Sequence, residues 1–340
     1  MSMPFWINLI IATLSAAIAA GLGVILIPFL KKLKAGAHIL EIGPRWQKDK
    51  EGTPLMGGFM FILSTVFSSL LGYLIISSYR SSHLIEAPEN GFLKLLLGLG
   101  AALGFMLVGF ADDYIKVIKK RNQGFNAKAK SACQAVIVVL YLIGLRLLGN
   151  DTSVSIPFIG DIKLGWFYYV LMAVAIYGFV NAVNLTDGVD GLCGAVTLIY
   201  SGAFGLIFVI LSDWEYAGFA FALCGGCLGF LVWNLHPAKV FMGDTGSMFL
   251  GGCVVAFGFA SGLEILIPIV GIIYLIEAMS DVIQIGSYKL RHKRVFKMAP
   301  IHHHFELSGW SEYKIVFVFS AISFVAGALG VVLTALYALE

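Results

Sequence analysis

Acidic and amide side chains gather at three places in this sequence, each at the end of an apolar stretch. The three groups are Asp112 with Asp113, then Asn181, Asn184, Asp187 and Asp190, and then Asn234 with Asp244. Such side chains are costly at membrane depth and are usually functional there. Oxygen ligands without cysteine suit Mg²⁺, which keeps several waters and recruits substrate phosphates. Together the groups predict a magnesium site for phosphoryl transfer, a reaction that needs mainly positioning and charge stabilisation.

A run of three histidines, His302, His303 and His304, forms a further polar cluster. Consecutive residues point in different directions, so we expect imidazoles that meet a phosphate or a sugar. A structural zinc site is the alternative. Nearby lysines and histidines could together neutralise a pyrophosphate.

Each acidic group also has a simpler interpretation. Asp112 and Asp113 could be solvated at the lipid headgroups, although carboxylates at a helix C-terminus oppose the helix dipole. The Asn, Asp and Gly residues around Asp187 also favour a turn. The segment GDTGS at 243–247 is as often a turn as a phosphate cradle. The sequence contains no Gly-x-x-x-x-Gly-Lys-Ser/Thr motif, which argues against ATP hydrolysis at a P-loop.

The composition indicates which elements must position these residues. Of the 340 residues, 59% are hydrophobic and only 13% are charged, and the mean hydropathy is +0.89. Soluble domains carry roughly 25% charged residues, so the chain is predicted to be an integral membrane protein. The net charge of +3 is too small to suggest nucleic acid binding. Cys224 and Cys227 lie in a Gly-rich apolar segment, where helix packing is a better interpretation than redox chemistry.

An all-α, polytopic membrane protein with about ten transmembrane helices is the expected fold, as one domain over residues 1–340. A bilayer core of about 30 Å needs about 20 apolar residues in each helix. The predicted spans are 5–30, 55–78, 92–110, 132–148, 166–183, 191–211, 216–235, 248–261, 265–288 and 314–337. The polar groups then belong to loops and span ends: the segment 181–191 runs from the end of span five to the start of span six, and Asn234 and Asp244 lie at the end of span seven and in the loop after it.

The basic residues predict the orientation of these spans. All but four of the 23 Lys and Arg residues fall in loops on one face, and the exceptions are Arg80, Lys94, Arg146 and Lys163. Basic loops stay in the cytoplasm, so this face is predicted to be cytoplasmic, with both termini on the far side. The acidic groups lie on the same face, where a water-soluble nucleotide donor could meet a lipid phosphate acceptor.

Five segments, in this order, resemble the phospho-N-acetylmuramoyl-pentapeptide transferases, a group of polyprenyl-phosphate N-acetylhexosamine-1-phosphate transferases. The segments are GTPLMGG at 52–58, DDYIK at 112–116, NAVNLTDGVDG at 181–191, FMGDTGS at 241–247 and PIHHHFE at 300–306. Leu55 departs from the threonine usual in the family, and Val189 from the usual leucine. The resemblance covers nearly the whole chain.

The resemblance implies transfer of phospho-N-acetylmuramoyl-pentapeptide from its UDP carrier to undecaprenyl phosphate, giving lipid I and UMP for the peptidoglycan cell wall. It further implies Mg²⁺, a homodimer and a bacterial inner membrane location with the site on the cytoplasmic face. Asp244 matches the metal aspartate of the family, and Asn184 is a further candidate ligand. The expected catalytic residues are Asp112, Asp113, Asp244 and His303.

The remaining site residues follow from the same resemblance. The expected uridine and sugar contacts are Lys50, Asn184, Asp190, Asn234, Phe241 and Gln284, the phosphate contacts are Lys116, Lys120 and Lys128, and Asp187, His302 and His304 complete the donor site. Because successive helical residues are about 100° apart, Asp112 and Asp113 should differ in role. We expect Asp112 on the acceptor side and Asp113 on the metal side.

Two other functions remain open at the level of sequence. A transferase of the same family could use UDP-N-acetylglucosamine, although the segment at 302–306 resembles the muramoyl-pentapeptide type. A polytopic transporter with a carboxylate site at the membrane midplane is an alternative of a different class. The acids at span ends and the lack of a visible internal repeat weaken it.

Overall fold

The fold was obtained as a computed structural model, which describes residues 3–33, 50, 52–84, 89–119 and 124–339. Its helices in chain order are α1 (Met3–Lys32), α2 (Phe59–Ser82), α3 (Gly91–Lys119), α4 (Ala127–Leu147), α5 (Phe167–Thr186), α6 (Leu192–Ile210), α7 (Trp214–Asn234), α8 (Gly243–Ala260), α9 (Leu266–Val270), α10 (Ile272–Arg291), α11 (Ile301–Glu306) and α12 (Glu312–Tyr337). An antiparallel hairpin of β1 (Ser153–Ile156) and β2 (Gly160–Lys163) joins α4 to α5. The predicted all-α architecture is confirmed.

Nine helices in the described ranges are long and apolar enough to cross a membrane, namely α1 to α8 and α12. The predicted span 265–288 is instead divided at Gly271 into the short α9 and the longer α10. Glu277, Asp281, Lys289 and Arg291 make α10 more polar than the other long helices. The chain is therefore a multi-pass membrane protein whose ninth predicted span differs from a simple apolar helix.

Helix α8 lies at the centre of the bundle and contacts α2, α3, α5, α6, α7 and α9. Its residues from Thr245 to Phe259 are buried throughout. Small residues allow neighbouring helices to approach closely. Gly251 packs on the backbone of Val180 in α5, and Gly252 packs on Ala102 in α3. The most buried helix is thus packed closely against α3, which carries Asp112 and Asp113, and against α5, which carries Asn181 and Asn184.

The structure places four of these polar residues in helices, and for Asn184 and Asp244 this corrects the assignment to loops. Asn181 and Asn184 lie inside α5, Asn234 is the last residue of α7, and Asp244 is the second residue of α8. Helix α8 was predicted to start at 248 because Gly243, Thr245 and Ser247 lower the hydropathy of its first turn. Helix α3 runs past its predicted end at 110 to Lys119, and α4 begins at Ala127 rather than at 132.

Candidate active site

The C-terminal part of α3 meets the first turn of α8 through Asp113. Asp113 Oδ1 accepts the backbone N–H of Asp244 at 3.2 Å, and Oδ2 accepts the N–H and the hydroxyl of Thr245 at 2.8 and 2.7 Å. The free N–H groups of a helix start attract a carboxylate, typically by about 1 kcal/mol. Asp113 therefore fixes the helix start on which Asp244 stands.

Two glycines permit this close approach between α3 and α8. Gly243 has φ +70°, which side chains rarely adopt, and a Cβ there would overlap the carboxylate of Asp113. A Cβ at Gly109 would overlap the backbone carbonyl of Asp244. Glycine at both positions is thus required for Asp113 and Asp244 to share one site.

Two lysines lie between the carboxylates of Asp112, Asp113 and Asp244. Lys116 Nζ lies 2.5 Å from Asp112 Oδ2, 3.8 Å from Asp113 Oδ1 and 3.4 Å from Asp244 Oδ2. Lys130 Nζ reaches Asp244 Oδ2 at 2.6 Å and Asp112 Oδ1 at 4.0 Å. The ammonium groups neutralise part of the negative charge, and Lys116 also lines the neighbouring cavity.

Asp187 adds a fourth carboxylate to this cluster. It follows the last residue of α5, and burial together with the nearby carboxylates of Asp244, Asp113 and Asp190 raises its pKa well above the ordinary value. If all were ionised, the carboxylates of Asp112, Asp113, Asp187 and Asp244 would outnumber the two lysine ammonium groups by two negative charges. A divalent cation would offset the repulsion among the carboxylates that contributes to the raised pKa of Asp187.

The residues present fit a magnesium ion by their chemistry. One carboxylate oxygen from each of Asp112, Asp113 and Asp244 lies within 4.8 Å of the others, and such hard oxygen donors suit Mg²⁺. Asn184 lies beside them and donates to Asp244 Oδ1 at 3.2 Å and to Ser247 Oγ at 2.7 Å. Asp244 is the most exposed of the three carboxylates, with 21% of its side chain accessible.

A cavity of about 240 Å³ opens beside this cluster. Its walls include Asp113, Lys116, Asp187 and Asp244 of the cluster, together with Lys50, Leu55, Asp190, Asn234 and Phe241. Asn234 Oδ1 accepts the N–H of Gly191, and its Nδ2 donates to the carbonyl of Val240. The backbone N–H of Phe241 donates to the carbonyl of Pro54 at 2.8 Å. Expected phosphate residues and expected nucleoside residues therefore line the same cavity.

The three histidines bond to three separate partners, as their adjacency predicted. His302 is fully buried, and its Nδ1 lies 3.0 Å from Glu277 Oε2, while its ring packs against Gly188. His303 Nδ1 lies 2.5 Å from Glu306 Oε2. His304 Nδ1 accepts the backbone N–H of Lys297. Among the described residues, no three-ligand metal cluster includes these rings, which gives the zinc alternative no support.

Gln284 lies apart from the main cavity. Its amide oxygen accepts the N–H groups of Val295 and Phe296, and its amide nitrogen donates to the carbonyl of Phe296. It lines a second cavity with Asp281 and Arg294. The contacts described for Gln284 therefore hold the segment after α10, and its expected role toward uridine stays a prediction.

Sequence reasoning missed three side chains and named two lysines that the described contacts do not bring to the cluster. Lys130 bonds Asp244, and Glu312 and His236 surround Asp190. Lys128 is exposed on the first turn of α4, and Lys120 lies outside the described residues. A signal for Lys130 existed, since Gln134, Val138, Tyr141 and Leu145 continue its face of α4 and are buried.

Comparisons with known proteins agree with this geometry. The family model described as glycosyl transferase family 4 matches residues 95–262. A phospho-N-acetylmuramoyl-pentapeptide-transferase of Halalkalibacterium halodurans is 45% identical over 94% of this chain and 95% of its own length. Proteins of the same name from Shouchella clausii and Bacillus subtilis are each 43% identical, over 97% and 90% of this chain and 98% and 91% of their own lengths.

Proposed function

Because the chain belongs to the phospho-N-acetylmuramoyl-pentapeptide transferases, we propose that it transfers phospho-N-acetylmuramoyl-pentapeptide from its UDP carrier to undecaprenyl phosphate. The products are lipid I and UMP, so the enzyme serves peptidoglycan synthesis. The observation that carries the proposal is the convergence of three carboxylates and two lysines beside one cavity, at the ends of membrane helices. A soluble donor and a lipid acceptor can meet there.

In the net reaction, an oxygen of the lipid phosphate bonds to the sugar-linked phosphorus while the bond from that phosphorus to UMP breaks. A phosphomonoester with a second pKa of about 6 is already largely ionised at neutral pH. Deprotonation therefore contributes little, and the protein acts mainly by orienting the two phosphates and neutralising their charge. Lys116 and Lys130 could neutralise phosphate charge, because both ammonium groups lie beside Asp244 Oδ2.

We also propose that the enzyme depends on Mg²⁺, held by Asp244 with Asp113 and Asn184 beside it. The excess of carboxylates over lysines in the cluster supports this. When bound, the ion supplies positive charge that attracts the pyrophosphate oxygens and stabilises the charge of the transition state. The proposed catalytic and donor site is completed by Asp112, Asp113, Asp187 and His303.

We also expect a homodimer, which the mass of the solubilised protein would test.

Selectivity for the donor tests the proposed function. We expect the purified protein, supplied with undecaprenyl phosphate, to release UMP from the UDP-linked muramoyl-pentapeptide and not from UDP-N-acetylglucosamine. Release from the second donor alone would favour the N-acetylglucosamine-1-phosphate transferase. If UMP were released from neither donor, but one of the donors were exchanged across vesicle membranes, a transporter would be favoured.

The two lysines near the start of α4 should differ in their effect on the rate. Lys130→Ala removes the ammonium group that lies 2.6 Å from Asp244, and we expect kcat to fall by about 10- to 100-fold. Lys128→Ala is the matched control, because Lys128 lies two residues away on the exposed face of the helix. We expect its kcat to stay within about twofold of the wild type. A larger loss of kcat with Lys128→Ala than with Lys130→Ala would contradict this expectation and would favour Lys128 as the phosphate contact.

The proposed location is the bacterial cytoplasmic membrane, with the carboxylate cluster on the cytoplasmic face. Ser82 ends α2, and Ala127 begins α4 at the end of the bundle that carries the cluster. In a variant without the five native cysteines, a cysteine at Ser82 should react with an impermeant maleimide in intact cells. A cysteine at Ala127 should react only after the membrane is opened. The reverse labelling pattern would place the cluster outside the cell, away from UDP-linked donors.

A further inference from the structure

A second polar cluster, made of Lys50, Asp190, His236 and Glu312, borders the cavity through Lys50 and Asp190. Lys50 Nζ donates to Asp190 Oδ1 at 2.7 Å and to Glu312 Oε2 at 2.8 Å. His236 Nδ1 lies 3.1 Å from Asp190 Oδ2 and 3.5 Å from Glu312 Oε1. Its four members come from four separate segments: three lie in the segments before α2, α6 and α8, and Glu312 is in the first turn of α12.

Glu312 connects these segments although it does not line the cavity itself. It is the first residue of α12, where a carboxylate is favoured by the helix dipole. Its Oε2 accepts both the ammonium of Lys50 and the backbone N–H of Asp190, the latter at 3.1 Å. Only 12% of its side chain is accessible, against 16% for Lys50 and 3% for Asp190. Lys50 and Asp190, in contrast, both line the cavity.

The charges of this cluster fix Lys50 in one place. Burial alone would lower its pKa, but hydrogen bonds and charge attraction from Asp190 and Glu312 hold the pKa of Lys50 above its ordinary value. Asp190 also accepts the N–H of Ala238 through Oδ2, so it is held from two sides. Without Glu312, Lys50 would keep one carboxylate partner and could rotate away from the cavity wall. A mobile Lys50 would lose rotamer freedom when the ligand binds, and this loss of entropy would weaken binding.

We propose that Glu312 is a positioning residue that holds Lys50 at the cavity wall in the arrangement that binds the donor. The proposal rests on the function proposed above, because the donor is the UDP-linked substrate. Glu312 acts through Lys50 and through the backbone of Asp190, and it touches no reacting atom. It should therefore affect the affinity for the donor and leave both the chemical step and the acceptor lipid unaffected.

Kinetics of Glu312→Ala and Glu312→Asp test this role. Because hydrogen bonds to charged groups are among the stronger ones, Glu312→Ala should raise KM for the donor about tenfold. We expect kcat at saturating donor and KM for the lipid to change less than about twofold. Glu312→Asp, which keeps the charge, should recover most of the donor affinity. Lys314→Ala is the matched control, since Lys314 lies two residues further along α12, is exposed, and places its ammonium over the ring of Trp310, outside the cluster. Its KM for the donor should equal that of the wild type.

A double-mutant cycle with Lys50→Ala shows whether Glu312 acts through Lys50. We expect Glu312→Ala to add much less to KM in the Lys50→Ala protein than in the wild type. Additive effects of the two variants, an unchanged KM in Glu312→Ala, or an equal loss for donor and lipid would each overturn the proposal. The wild-type protein is assayed before any variant. If it released no UMP from any UDP-linked sugar, the proposed function itself would fail.

Discussion

Replacing Asp244 with asparagine is expected to lower kcat by about 100- to 1,000-fold at saturating substrates. Asp244 is the most exposed carboxylate of the cluster, and its Oδ2 lies within 3.4 Å of both Lys116 and Lys130. Asparagine keeps the shape but removes the negative charge that would hold a divalent cation against the pyrophosphate. The loss should be largest at low Mg²⁺, because the affinity for the ion falls together with the rate.

The measurement is UMP release by Asp244→Asn over a range of Mg²⁺ concentrations. Asp213→Asn is a suitable control, because Asp213 caps the N-terminus of α7 and accepts the N–H of Tyr216. This end of α7 is opposite to the end at Asn234, which lines the cavity. Asparagine also caps helices well, so this variant should keep near-normal turnover. If Asp244→Asn retained near-full turnover at low Mg²⁺, Asp244 would not be the metal ligand.

The adjacent aspartates of α3 should differ in how their variants respond to Mg²⁺. Asp113 lines the cavity and holds the start of α8, whereas Asp112 faces Phe125, whose N–H it accepts at 2.8 Å. We expect Asp113→Asn and Asp112→Asn each to lower kcat by about 100-fold. Excess Mg²⁺ should restore part of the rate of Asp113→Asn, because that residue is placed on the metal side. The rate of Asp112→Asn should stay low at every Mg²⁺ concentration.

These titrations require saturating donor and lipid, so that only the metal varies. The melting temperature of each variant serves as the control for folding, since Asp113 also anchors α8. An identical Mg²⁺ response in both variants would contradict the division of roles. The two carboxylates would then act as one electrostatic unit with Lys116, which lies within 4.0 Å of both.

Most of the membrane architecture could be predicted from the apolar stretches, because a bilayer imposes both length and composition on a helix. The start of α8 could not. Its first turn carries Gly243, Asp244 and Thr245, which lower the hydropathy, and its stability depends on Asp113 from another helix. The break at Gly271 is hidden for the opposite reason, since isoleucine-rich sequence on both sides suggests one continuous span.

The carboxylates of the site could be predicted from their cost in a membrane, but their partners could not all be found that way. Charge alone does not separate Lys130 from Lys128, and the distinction requires the buried face of α4 that continues from Lys130. Glu312 follows Ser311, which caps α12, and an acidic residue is common at that position for local reasons. Its bond to Lys50 joins residues 262 positions apart, and nothing in the local sequence reports such a contact.

The most direct test of the account is the stoichiometry of the reaction catalysed by the purified protein in detergent. With undecaprenyl phosphate, Mg²⁺ and the UDP-linked muramoyl-pentapeptide, we expect equal amounts of UMP and of a lipid product whose mass is that of lipid I. Asp244→Asn should form neither at a comparable rate. If UMP appeared without the lipid product, or if both formed equally fast with Asp244→Asn, the carboxylate cluster around Asp244 would not be the site of phosphoryl transfer.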